Sequence, residues 1–100
     1  MVTPIEVTTV PTYYQQTVTA VITAPVAETS PLGSRKGVTF RNAGPSNLYL
    51  CGAGTDQTGK YLTLQPGDSV VYVIYATNVV TFYFAVPTSG SAVVEREEWL

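Results

Sequence analysis

The chain has 100 residues, only 12% of them charged, and a formal net charge of −2. That length holds one small domain, and the acidic balance argues against a nucleic-acid partner, which calls for a basic surface to displace phosphate counterions. With no His and a single Cys in the chain, imidazole zinc sites, His general bases, His-containing triads and internal disulfides are excluded.

Val and Thr each occur 15 times. Such β-branched residues fit pleated sheets and lose rotamer freedom in helices. The composition therefore predicts an all-β fold with a surface of Thr, Ser, Asn, Gln and Tyr. The lone Cys51 fits folding in a reducing cytosol. The opening MVTPIEVTTV has no basic n-region, so no signal peptide is expected. No apolar run approaches the roughly 18 residues that span a bilayer, so no membrane partner is expected.

Residues 1–36 read as an extended N-terminal arm, interrupted by Pro4, Pro11, Pro25 and Pro31, with one or two edge strands. Ile5, Val7 and Val10 suggest a first short strand. Val18, Ala20 and Ile22 share one face of a second, over residues 16–23. Residues 29–37 carry turn chemistry. Residues 37–100 read as the β-sandwich core. Val38 and Phe40 alternate with Thr39 and Arg41, and Asn42-Ala43-Gly44-Pro45 predicts a turn. Leu48 and Leu50 alternate with Tyr49 and Cys51 before a Gly-rich loop over residues 52–59. Leu62 and Leu64 follow, then the turn Gln65-Pro66-Gly67-Asp68, where Pro presets φ and Gly accepts a positive one. Residues 70–76 and 79–86 predict two strands that are apolar on both faces, joined by a turn at Ala76-Thr77-Asn78. Ala92 to Trp99 is the last strand. Short strands at this spacing predict a small antiparallel β-sandwich or barrel.

No catalytic, cofactor or metal site emerges. Glu95, Glu97 and Glu98, with Arg96 among them, read as a solvated charged edge that discourages stray strand pairing, rather than as a paired-carboxylate site. Cys51 has no base beside it and reads as a half-buried strand residue. Gly52-Ala53-Gly54 lacks the Lys-Ser/Thr and helix of a phosphate loop, since Gly59-Lys60 leads into Tyr61-Leu62, a strand. Asp56 and Asp68 are too isolated to build a calcium shell. Arg35, Lys36 and Arg41 form the one cationic cluster, which either docks electrostatically on an acidic partner surface or serves loop solubility.

The two-faced strands carry more weight. A lone two-layer fold buries one face of each sheet, so a second apolar face points to a neighbour or to the arm. The residues expected at such an oligomer or partner interface are Ile5, Val7, Tyr13, Tyr14, Val71, Val73, Tyr75 and Tyr83. Seven Tyr also allow a sugar-stacking platform, with Tyr49, Tyr61 and Tyr83 as its members.

The run Arg41-Asn42-Ala43-Gly44, then Asn47-Leu48-Tyr49-Leu50-Cys51-Gly52, then Tyr61-Leu62-Thr63-Leu64-Gln65-Pro66-Gly67-Asp68-Ser69, resembles small β-sandwich virion proteins of tailed bacteriophages. These are of the capsid decoration (cement) or head-fibre type. The resemblance spans about residues 37–98, with Cys51 standing where an aliphatic residue or Gly is more usual. It implies a non-enzymatic role on the capsid surface. There a homo-trimer would bind the major capsid protein or another virion protein through its arm and a hydrophobic sheet face. The other role it implies is a carbohydrate-binding or adaptor module on a tail or fibre.

Overall fold

The computed structural model describes residues 12–75 and 79–100, and over these the chain is all β, with no helix. The strands are β1 (Thr12–Val18), β2 (Val26–Ala27), β3 (Gly37–Pro45), β4 (Leu48–Cys51), β5 (Tyr61–Leu64), β6 (Ser69–Val73), β7 (Tyr83–Ala85) and β8 (Ala92–Trp99). They form two antiparallel four-stranded sheets, ordered β1-β8-β3-β6 and β2-β7-β4-β5, consistent with a small β-sandwich. The expected strand around Ile5 and Val7, and the expected turn at Ala76-Thr77-Asn78, lie outside the described residues.

Period-2 alternation sets the core. In β3, Val38, Phe40 and Asn42 are buried while Arg41 and Ala43 are exposed. In β4, Leu48 and Leu50 face inward, and they meet Val18, Leu64, Phe84, Val86, Ala92 and Val94 in one apolar cluster. Phe40 lies at its centre. Its ring is edge-on to Phe82 at 5.1 Å, to Phe84 at 5.3 Å and to Tyr72 at 6.3 Å.

Residues 12–36, expected as part of an arm with one or two edge strands, supply two edge strands packed onto this body. β1 and β2 are edge strands of the two sheets, and Val18 is fully buried. The strand predicted over residues 16–23 instead ends at Val18. That residue pairs with Ala92, the first residue of β8, so the partner strand runs out there. The chain then passes to the other sheet, where Ala20 O accepts from Val86 N and Ile22 O from Gln57 N.

Further boundaries differ from the sequence reading, and the strand predicted over residues 70–76 is observed as Ser69–Val73. The predicted turn at residues 42–45 is a continuation of β3, with a register shift between Asn42 and Pro45. The buried Asn42 side chain holds this bulge: Nδ2 donates to Ser46 O and Leu64 O, and Oδ1 accepts from Gly44 N. The strand predicted over residues 79–86 shrinks to Tyr83–Ala85. Upstream of it, side chains take the places of ladder partners: Phe82 N donates to Glu28 Oε1, and Val80 O accepts from Arg35 Nη2. The Gln65–Asp68 turn forms as expected, with Asp68 N donating to Gln65 O at 2.9 Å and Gly67 at φ +92°.

Candidate functional site

Residues that pair across an antiparallel ladder share a face, so the register identifies what the β1-β8-β3-β6 sheet presents outward. Val71 pairs with Thr39, Thr39 with Glu97, and Glu97 with Tyr13. Tyr13, Val71 and Val73 of the expected interface set stand here, 56%, 53% and 60% exposed, and Tyr75, two residues past the end of β6, is 91% exposed. Val73 and Trp99 both flank Gly37. Trp99 lies flat over that glycine, since a Cβ there would stand 2.1 Å from its ring. An apolar ridge thus runs along β6 and continues to Trp99, and no described segment covers it.

The β1 side of the same face is polar. Tyr13 Oη donates to Glu95 Oε2 at 2.5 Å, and Arg41 pairs with Glu95 Oε1. The Tyr13 hydroxyl, with help from Arg41, holds the Glu95 carboxyl below its ordinary value of 4.5, and the same hydrogen bond pushes the Tyr13 phenol up. A carboxyl whose pKa is lower folded than unfolded stabilises the fold above the unfolded value and loses that contribution as pH falls through the folded one. Glu95→Gln should therefore leave a melting temperature that falls less steeply below pH 4.5 than the parent's. Superimposable melting-temperature profiles would rule the contribution out.

Several expected site residues stand elsewhere. Ile5 and Val7 lie outside the described residues. Tyr14, next to Tyr13, faces the opposite side, and its ring lies 4.4 Å from the Arg96 guanidinium carbon. Tyr83 is on the other sheet, paired with Cys51 and half-buried beneath Gly54, where a Cβ would stand 3.2 Å from its ring. The face of β7 opposite the core is thus covered by the chain's own loops rather than left for a neighbour. The cationic cluster dissolves: Arg35 is 4% exposed, Arg41 is paired with Glu95, and Lys36 alone of the three is exposed with no ion pair among the described residues.

The charged C-terminal edge is overturned in part: Glu95 and Glu97 stand on the outward face, but Arg96 and Glu98 do not. β8 is an interior strand, and alternation sends Arg96 and Glu98 to the same side as Ala92 and Val94. There Glu28, Arg35, Arg96 and Glu98 form a buried cluster of two acids and two bases. Glu28 is the hub. It accepts from Arg35 Nη2 at 2.5 Å, from Arg35 Nη1 and Arg96 Nη1 at 3.0 Å, and from Phe82 N at 2.9 Å. Glu98 Oε2 accepts from Arg35 Nη1 at 3.0 Å and Leu32 N at 3.2 Å. Burial works against the Arg35 charge, but Glu28 and Glu98 outweigh it and keep its pKa raised. The signal was present in the sequence, because period 2 aligns residues 96 and 98 with the core positions 92 and 94. Such a balanced cluster clamps the residue 28–36 segment to β8 and to residues 80–82.

On the outer face of the other sheet, Tyr49 and Tyr61 pack with ring centroids 4.3 Å apart and planes inclined by 40°. They line an uncharged groove of about 540 Å³ with Ile22, Thr23, Pro87 and Thr88. The three-Tyr platform expected from the sequence becomes a pair. Cys51 is buried, and burial pushes its thiol up, away from the reactive thiolate. Asp56 accepts from Thr58 N and Oγ1, and Asp68 from Gln65 N, so both carboxylates close their own turns. Among the described residues no three His, Cys, Asp or Glu side chains converge to hold a metal ion. Comparison with protein-family models, curated proteins and solved structures found no match to this chain.

Proposed function

We propose that the protein is a non-enzymatic structural component of a phage virion, a capsid decoration protein that adheres to the shell through the outer face of the β1-β8-β3-β6 sheet. The observation that carries this reading is the apolar ridge of Val71, Val73 and Tyr75, exposed among the described residues. Contiguous exposed apolar surface of this kind marks interaction sites in soluble proteins. The likeness of residues 37–98 to virion β-sandwich proteins supports the choice of partner, the major capsid protein or another virion protein. The sparse charge of the chain supports a contact made by apolar burial, which tolerates salt. In this reading the residues before Thr12 extend the contact onto a neighbouring shell subunit.

The packed Tyr49–Tyr61 pair, with hydroxyls of Thr23 and Thr88 around it, favours a second reading, a sugar-binding module on a tail or fibre. Immunogold electron microscopy of particles from cells making the protein separates the two. Label distributed over the shell is the expected result. Label confined to tails or fibres would favour the second reading, and label absent from particles would reject both.

A further inference from the structure

We infer that β6 is a self-pairing edge: two copies of the chain join their β6 strands antiparallel about a two-fold axis at Tyr72, making one eight-stranded sheet from two four-stranded ones. Ile74 N donates to Lys36 O, and Asn42 N donates to Asp68 O. In an antiparallel ladder bonded and non-bonded pairs alternate. Ile74, Tyr72 and Val70 therefore direct their backbone groups at β3, while Ser69, Val71 and Val73 direct theirs outward, where no described strand pairs with them. Natural edges are blunted by charge, proline, bulges or shortness. β2 has two residues and β5 four; β1, like β6, has neither charge nor proline, but Thr12, Gln15, Gln16 and Thr17 make it the more polar of the two long edges. β6 reads Ser-Val-Val-Tyr-Val and has neither charge nor proline.

The occupant follows from the symmetry of the segment. About Tyr72, Val71 meets Val73 of the second copy, Val70 meets Ile74, and small Ser69 meets large Tyr75. A two-fold contact needs such self-complementarity, residue i on j and j on i. The same register brings exposed Asp68 toward the end of the joined sheet where exposed Lys36 of the second copy stands, two strands away beside its own Ile74, and these opposite charges favour the register at low salt. One short strand edge and three exposed side chains from each copy make a small contact, of the transient class below about 1,200 Å². The dimer should therefore dissociate on dilution. Self-pairing at β6 does not depend on what the assembly binds, although a doubled sheet would offer a wider docking face.

Sedimentation equilibrium across a concentration series is the test, read beside amide hydrogen exchange. The expected result is a monomer–dimer equilibrium in which Val71 and Val73 amides gain protection with concentration, while those of Val70 and Tyr72 are protected throughout. Val73→Lys, at an exposed position, should keep the parent's circular dichroism and weaken dimerisation at least about tenfold by setting like charges near one another across the axis. A monomer at every concentration would overturn the inference. So would dimers or trimers that form equally well in the Val73→Lys variant, or that leave the Val71 and Val73 amides unprotected.

Discussion

Glu28→Ala should lower the free energy of unfolding by about 3–5 kcal/mol, the cost of stripping one partner from a buried ion pair. A domain of this size has only about 5–15 kcal/mol to lose. The physical reason is what stays behind. Arg35 and Arg96, both at most 4% exposed, would face each other's charge with Glu98 as the single remaining acid. Phe82 N would also lose its acceptor. The double variant Glu28→Met with Arg96→Met provides the sign test. It removes one charge of each kind and leaves the Arg35–Glu98 pair at 3.0 Å, so it should be less destabilised than Glu28→Ala alone. Urea unfolding measures both. A loss below about 1 kcal/mol for the single variant, or a double variant worse than the single, would contradict the clamp.

Phe40→Ala should cost a comparable amount, about 3–5 kcal/mol, through lost burial and the cavity left behind. Phe40 is fully buried, and its neighbours across the ladder are Val70 on β6 and Arg96 on β8. Its ring contacts Tyr72 from its own sheet and Phe82 and Phe84 from the opposing layer. Collapse into the vacated space is hindered because Phe82 is tied through its backbone to Glu28. Phe40→Leu, which keeps most of the volume, should cost less than about 1.5 kcal/mol. The readout is the urea midpoint together with near-ultraviolet circular dichroism from the aromatic cluster. Equal losses for the two variants would show that packing at this position is not what matters.

The sheet architecture is largely legible in the sequence, because alternation is a local signal. Val38 and Phe40, Leu48 and Leu50, and Val70 and Tyr72 can be assigned to faces before any pairing is known, and they pack as that assignment requires. What is not legible depends on contacts distant in sequence. Glu28 and Arg96 meet across 68 positions and Arg35 and Glu98 across 63, so charge that looks like solvated edge and loop is interior. The shortened β7 has the same origin, with side chains from residues 28 and 35 occupying backbone partners that a ladder would otherwise supply. Asn42 shows the reverse case. Its turn-forming composition does signal local side-chain bonding, but that bonding bends a strand rather than ending it. Of the proposed contact surface, Val71, Val73 and Tyr75 are recognisable because both faces of their segment are apolar. Tyr83 is not separable from them by sequence, since only the sheet order puts it on the other layer.

The ridge along β6, which no described segment covers, exists on this account to be covered. Hydroxyl-radical footprinting tests that most directly, comparing dilute isolated protein with the protein in the assembly it enters. Val71, Val73 and Tyr75 should be oxidised readily in the first and shielded in the second, with Tyr61 and Leu62 equally reactive in both. Unchanged oxidation along β6, with shielding at Tyr61 or at no position, would contradict the account.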